Sequence, residues 1–478
     1  MPKNLGRTPL SWAAGAGHDE VVKLLLRCRN VNLSIRDDDG RTPLLWAAMK
    51  GHYGVVRLLL GREDVDPNIP DDYGQTPLSW AAGEGHDEVV KLLLKCKKAH
   101  LNITGLFDQT ALSWAAKRGH FGVVQLLLQH EDVNPNIPDG YGQTPLSWAA
   151  GAGHDKVVGL LLTCEKVNHN ITDDSGRTPL WFAAKRGHFG VVQLLLGSED
   201  FNPNIPDDDG QTPLSWAAGE GYYEVVKLLL KYQKVNPNIT GCGGRTALVC
   251  AAKNGHFRVV ELLLGSEDVN PNIPDDSGKT PLWWAAREGH NELVRLLLKY
   301  PKVNPNITCW SDRTALWCAA KGGHFGVVQL LLAREDVNPN IPDYYCETLL
   351  SWAAGEGNDE VVKILLKFQK VNLNMTGWAG RTALLWAAER GHFGVVQLLL
   401  EHEDVNPNIP NCYGQTPLSK AAANGNDDIV QLLLAHKRVN PDIRDNNGRT
   451  PLWWASLTPN KRVVNLLQAS QSANPNAF

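Results

Sequence analysis

Apolar positions along this chain fall into two short clusters per 34 residues, separated by polar loops. In residues 71–104, DDYGQTPLSWAAGEGHDEVVKLLLKCKKAHLNIT, the first cluster is Leu78, Ala81 and Ala82. It predicts a short helix with one apolar face, its alanines allowing a neighbour to approach closely. Thr76 stands where a cap is needed, and Pro77 at the first helical position, where its missing N–H costs nothing. Gly83 and Gly85 are expected to end this helix, because glycine tolerates a left-handed turn. The second cluster, Val89, Val90, Leu92, Leu93 and Leu94, predicts a helix from about Asp87 to Cys96. Its apolar stripe is too wide for a helix packed on one side only, so it must meet a partner on both sides. A polar turn follows, with a glycine two residues before the next threonine that fits a positive-φ position. Asp108, Asp312 and Cys346 replace that glycine; Cys346 is the poorest fit, and a distorted tip is expected there.

This pattern is written fourteen times without insertion or deletion. Threonines stand at 8, 42, 76, 110, 144, 178, 212, 246, 280, 314, 348, 382, 416 and 450. The repeats run 3–36, 37–70, 71–104 and onward in steps of 34 to 445–478, and we read 1–478 as one repeat domain. A fixed period of this size predicts a solenoid, in which each repeat buries its face against its neighbours. The D-x-x-G-x-T-P-L-x-x-A-A-x-x-G-H pattern with a leucine-rich second helix resembles the ankyrin repeat family over about the whole chain. The repeat is one residue longer than the family's usual 33, and Ser-Trp often replaces the family's His-Leu after T-P-L. The V-N-P-N-I linker looks like that of long fungal ankyrin arrays. The resemblance implies an all-α, ankyrin-type helical solenoid of fourteen helix-turn-helix repeats with hairpin or loop fingers. It also implies a non-enzymatic protein-interaction scaffold, binding through its fingertips and concave inner-helix face. The alternative is the ligand-sensing arm of a larger fungal receptor or signalling protein.

A 68-residue period lies above the first: odd repeats read like GxGHDEVVKLLLK and even ones like KRGHFGVVQLLL. The net charge of −4 gives no basic bias toward nucleic acid, and no apolar run is long enough to span a membrane. Nine cysteines include Cys28, Cys96 and Cys164 at one repeat position, too far apart for disulfides. Free thiols in a reducing, cytoplasmic compartment are expected, and the N-I-T sequons at Asn102, Asn170, Asn238 and Asn306 read as turn residues. Ten histidines share the Gly-His position. Residues copied one layer apart cannot share a tetrahedral metal, so satisfied turn residues are expected, with no cofactor.

Ten tryptophans, among them Trp46, Trp80, Trp386 and Trp454, share one slot on the first helix and are expected to pack between repeats. Lys420 stands in that slot in repeat thirteen; its stem is expected along the stack with its head in water, and the C-terminal end to fray first. Trp310 and Trp378 lie outside the slot, at the variable fingertips, as do Tyr344, Tyr345 and Tyr413. Drift after duplication would also vary these tips, but exposed aromatic rings are the residues that anchor interfaces. Repeats nine to twelve, near Trp310, Tyr344, Tyr345 and Trp378, are the expected hot region. The family resemblance implies that basic pairs such as Lys185-Arg186, together with Lys321, form stripes on the inner face at every second repeat. They fit a partner with acidic patches, or a plain solvated face. The last repeat reads as a polar cap, with Leu466-Leu467-Gln468 and a lost Gly-His turn. The first keeps Trp12, Val21, Val22, Leu24, Leu25 and Leu26, a face that an upstream domain, a partner or a second copy should cover, and end-to-end self-association through that repeat is expected.

Overall fold

The computed structural model describes residues 6–28, 31–198 and 201–472; the outer edges of the first and last repeats, at 3–5 and 473–478, lie outside them. The described residues contain 28 α-helices in pairs, three short 3-10 turns and no strand. The chain divides into two compact bodies, 1–242 and 243–478. The first holds seven helix pairs, from Pro9–Gly15 with Asp19–Leu26 to Pro213–Gly219 with Tyr223–Lys231. The second holds seven more, from Ala247–Lys253 with Phe257–Leu264 to Pro451–Ser456 with Lys461–Ser472. Within each body, the second helices pack on one another in sequence order, and so do the short first helices, except that Ala315–Lys321 and Leu349–Gly355 approach less closely, with the Trp317 and Trp352 rings 4.9 Å apart.

Repeat three shows why these residues fold this way. Thr76 is extended (φ −80°, ψ 164°), and its hydroxyl accepts the Ser79 amide at 3.2 Å. The helix spans Pro77–Glu84 and ends at Gly85, in the left-handed region at φ 77°. Gly83 therefore lies inside the helix, not at its end. Its role is closeness: a Cβ there would sit 3.5 Å from the Cβ of Trp114 in the next repeat. The second helix is Asp87–Leu94, two residues shorter than the apolar run implied. Val89, Val90 and Leu93 are fully buried, as two-sided contact requires.

The 68-residue alternation sets small residues opposite acidic ones on neighbouring second helices. Five even repeats carry glycine in the first turn of the second helix, among them Gly54, Gly122 and Gly190, while repeat eight has Arg258. A Cβ at each of these three glycines would overlap the carboxylate of Asp19, Asp87 or Asp155 in the preceding odd repeat. In repeats thirteen and fourteen the same pair of positions becomes an ion pair, Asp427 with Arg462 at 2.7 Å.

Two further ladders tie repeats together. The His86 imidazole Nε2 lies 3.2 Å from the Met49 carbonyl, 37 residues upstream, and His120, His154 and His392 repeat that bond. The Gly-His histidines are thus partners of backbone carbonyls in the preceding repeat. The linker asparagines make the second ladder, which the sequence reading passed over as polar turn. Asn306 donates its amide N–H to the Asp336 carbonyl at 2.7 Å and accepts the Asn338 N–H at 2.8 Å. Asn102 does the same with Asp132 and Asn134.

Candidate interaction surface

Each finger is closed around its first residue. In repeat eleven the buried Asp343 carboxylate accepts the amides of Tyr345 (3.0 Å) and Glu347 (3.2 Å), and its carbonyl accepts the Cys346 N–H at 2.8 Å. Cys346 takes φ 60°, yet this closing bond matches that of Gly74 with Asp71 (2.9 Å) in repeat three. The expected distortion at Cys346 is absent, because the aspartate clamp fixes the turn whichever side chain sits at its tip. Phe107 and Ala379 also adopt positive φ, which their sequence context did not signal.

Fingers are joined by single backbone bonds, Trp310 N–H to the Ser277 carbonyl and Tyr344 N–H to that of Ser311, both 3.0 Å. Cys412 N–H to the Ala379 carbonyl (2.9 Å) and Asn446 N–H to that of Tyr413 (3.1 Å) continue the series. The side chains these tips carry point into solvent. Trp310 is 78% exposed, Tyr344 69%, Tyr345 64%, Tyr413 61% and Trp378 59%. Tyr344 and Tyr345 meet edge-on with ring centres 5.6 Å apart, and the Arg381 guanidinium stacks 4.9 Å from the Trp378 ring. In the first body, Tyr73, Phe107 and Tyr141 are also exposed, the last two stacked at 6.2 Å.

The basic stripes serve the framework first. Lys185 holds its ammonium 3.9 Å above the Trp216 ring of the next repeat and 4.6 Å from Trp181. Lys117 covers Trp148 in the same way at 3.8 Å, and burial lowers its pKa against the pull of Asp139. Arg186 donates to the Gly151 carbonyl. Its counterparts Arg118 and Arg390 additionally pair with Glu84 and Glu356 at 2.8 and 3.0 Å, whereas Ala152 stands where Arg186 would find an acid. Lys321 is exposed, with its ammonium 5.9 Å from Trp317. The fingertip residues therefore form one surface in the second body, while Lys185 and Arg186 lie in the first and Lys321 on inner helix Ala315–Lys321.

The tryptophan slot is less a dry ladder than a set of indole–carboxylate bonds. Trp46, Trp80 and Trp148 donate Nε1–H to the finger aspartates Asp37, Asp71 and Asp139 at 2.7–2.8 Å, and Trp284 donates to Asp275 at 3.0 Å. Where the finger lacks an acid, the slot changes. Gly241 accompanies Cys250, and Cys309 accompanies Cys318. Burial pushes these thiols up to about 11 and about 12, so they are apolar filler rather than nucleophiles. With Gly105 the Trp114 Nε1 finds no acceptor among the described residues. With Gly377 the acceptor comes from the previous repeat: Glu347 receives the Trp386 indole at 3.0 Å. Burial pushes the Glu347 carboxyl up to about 7, opposed by hydrogen bonds from Trp386 and the Trp378 backbone.

Lys420 departs from expectation. Its head is not in water but 2.8 Å from Glu389, which also holds Arg381 at 3.0 Å, all three side chains being less than one-fifth exposed. A second tryptophan slot, one residue earlier on the helix, went unnoticed in the sequence: Trp181, Trp283 and Trp317 are buried there. The signal that marks it is the replacement of the serine that elsewhere bonds the capping threonine.

A family model for ankyrin repeats (3 copies) matches the chain at residues 10–105, 99–173, 157–241, 200–275, 233–309, 302–377, 343–411 and 384–478. Comparison with curated proteins finds no match. Among the described residues no helix is long and apolar enough to cross a membrane.

Proposed function

This chain belongs to the ankyrin repeat family, and from that premise we propose that it is a non-enzymatic scaffold that recognises protein partners through its fingertips. The observation that carries this reading is the run of exposed rings at Trp310, Tyr344, Tyr345, Trp378 and Tyr413 on a framework whose other large side chains are mostly covered. Aromatic anchors are the side chains that dominate interface energies, and rigid loops present them at little entropic cost. The inner face is the second contact zone. Arg186 in the first body, which faces Ala152 where its counterparts face an acid, and the exposed Lys321 in the second each suit acidic groups on a partner. Free thiols at all nine cysteines accord with a cytoplasmic setting.

The test is a quadruple variant, Trp310, Tyr344, Tyr345 and Trp378 each →Ala, presented to a panel of displayed peptides beside the wild type. Helicity and melting should stay unchanged, because these rings pack against little. Peptides that bind the wild type should lose affinity by about 2 kcal/mol or more per lost anchor at the strongest positions. A variant that binds every peptide normally removes the reading.

A second contact rests on the first helix pair, where Trp12 (49%), Val21 (45%) and Leu24 (61%) are exposed. Apolar side chains of this kind are covered by a neighbouring repeat elsewhere in the stack. A second copy of the chain stacked end to end would cover them here.

A further inference from the structure

We infer that the fingertip row of repeats ten to thirteen binds a proline-rich segment in the polyproline II conformation. The inference rests on the recognition reading above and names the partner's chemistry. The first observation is spacing. Three of the tips are tied to the finger before by one backbone bond each, Trp310 to Ser277, Tyr344 to Ser311 and Cys412 to Ala379, while the Trp378 backbone bonds the Glu347 carboxyl of repeat eleven instead. One aromatic tip therefore recurs per helical layer, about 8–10 Å apart. A polyproline II helix advances about 9.3 Å per turn of three residues, so every third residue faces the same side at that pitch. An extended β-strand does not fit: its side chains alternate, and same-face positions fall at about 6.7 or 13.4 Å. An α-helix repeats its face every two turns at about 10.8 Å, and it docks in a groove rather than along a single file of points.

The second observation is charge. The tip pairs Trp310-Ser311, Tyr344-Tyr345, Trp378-Ala379 and Cys412-Tyr413 carry no formal charge, unlike Asp38-Asp39 or Asp208-Asp209 in the first body. An uncharged row suits an uncharged rod. At its Trp310 end stand two exposed carboxylates, Asp276 and Asp312, which suit a basic residue flanking the proline run. The third observation is chemistry. Polyproline II makes no internal hydrogen bonds, so its carbonyls are open to donors. Trp310 and Trp378 bring indole N–H groups, and the tyrosines hydroxyls, on exposed side chains. The edge-on pair of Tyr344 and Tyr345, ring centres 5.6 Å apart, offers aromatic faces on which a flat pyrrolidine ring can stack.

The experiment titrates the full chain into fluorescently labelled oligoprolines of about twelve and about six residues, the longer matching four tips at three residues each. Arginine is added at either end in separate probes, with a glycine–serine peptide and a cello-oligosaccharide as comparisons. The longer oligoproline should bind, at least about 10-fold tighter than the shorter, and Trp310→Ala with Trp378→Ala should weaken it by at least about 10-fold. Tyr344→Ala should weaken it independently, and circular dichroism should report an unchanged fold for each variant. Asp276→Asn with Asp312→Asn should abolish the preference for one arginine position. Displayed peptides lacking proline that bind through the same tips, while oligoproline does not, overturn this inference and leave the recognition reading standing. Tip-dependent binding of the oligosaccharide alone overturns it likewise. Absence of any tip-dependent ligand overturns both.

Discussion

Glu389 is a carboxylate on which two cations of the second body depend. It holds Lys420 at 2.8 Å and Arg381 at 3.0 Å, and the three side chains are 12–18% exposed. Replacing it by Ala leaves two cations facing each other, with only Glu347, whose own carboxyl is pushed up to about 7, still acting on Arg381. Removing one partner of a fully buried pair destabilises by about 3–5 kcal/mol. Water reaches this triad in part, so the expected loss is about 2–3 kcal/mol. Because repeats couple only to their neighbours, the loss should be local. Hydrogen exchange should accelerate in helices Ala383–Arg390, Pro417–Ala423 and their partners Phe393–Leu400 and Asp427–Ala435, and not in repeats eight to ten. The double variant Glu389→Leu with Lys420→Trp should recover most of the loss, since it restores an uncharged aromatic slot. A Glu389→Ala chain that exchanges like the wild type, within about 0.5 kcal/mol in repeats twelve and thirteen, would sink the argument that this triad replaces the missing indole.

Three further outcomes follow from the same contacts. Glu347 keeps its proton to about pH 7 in the folded chain, against 4.5 for the ordinary side chain. The folded state therefore binds the extra proton, and local stability should fall as pH rises from about 4.5 to 7, by about 1–2 kcal/mol after allowance for its partial exposure. Glu347→Gln should flatten that slope in urea melts read at several pH values, and an unchanged slope would contradict it. Asn306→Ala removes two bonds to the next repeat and should destabilise repeats ten and eleven by about 1–3 kcal/mol by hydrogen exchange, whereas Asn306→Asp should rescue only the bond accepted from Asn338. Leu24→Glu with Val21→Glu should lower the sedimentation-derived association of the wild-type chain at about 100 μM without changing its helicity; a wild type that is strictly monomeric there contradicts the end-to-end contact.

The helices were legible because their signals are local. A capping threonine, a first-turn proline and a left-handed glycine specify the first helix within ten residues, as Thr76, Pro77 and Gly85 show. The fingertip rings were legible too, since an aromatic residue beside the turn glycine falls outside both helices; Trp310 is the most exposed of these rings. What escaped was everything carried between repeats. Asn306 bonds residues 30 and 32 positions ahead, and His86 a carbonyl 37 positions behind. Nothing in a single repeat says that these polar residues face the next layer rather than water. The same blindness placed the head of Lys420 in solvent, because Glu389 lies 31 residues away on the previous repeat's helix. Lys185 reads as a surface cation for the same reason, although it roofs Trp216.

These inter-repeat bonds also explain why the framework holds its form while the tips vary. Finger residue and slot residue are matched in many repeats, although Asp173 goes with Phe182. Aspartate goes with an indole that needs an acceptor, as in Asp71 with Trp80, and glycine or cysteine goes with a cysteine that needs none, as in Gly241 with Cys250. Where glycine meets tryptophan, the indole is rescued by Glu347 or, at Trp114, left without an acceptor. A buried N–H without a partner costs about 1–3 kcal/mol, so this pairing constrains the first finger residue. The next two residues face no such demand: their backbone closes the turn and their side chains leave the fold, as at Tyr344 and Tyr345. That division lets a repeat change what it displays without changing how it stacks. A tip substitution such as Trp378→Ala and a slot substitution such as Trp386→Ala should therefore separate cleanly. The first should alter binding at constant stability. The second takes the indole donor from the half-buried Glu347, leaving it the Trp378 backbone N–H, removes one of the two rings Arg381 covers and empties the slot, so it should lower stability by about 3 kcal/mol. A Trp378→Ala chain that melts as early as Trp386→Ala would show that the tips belong to the framework after all.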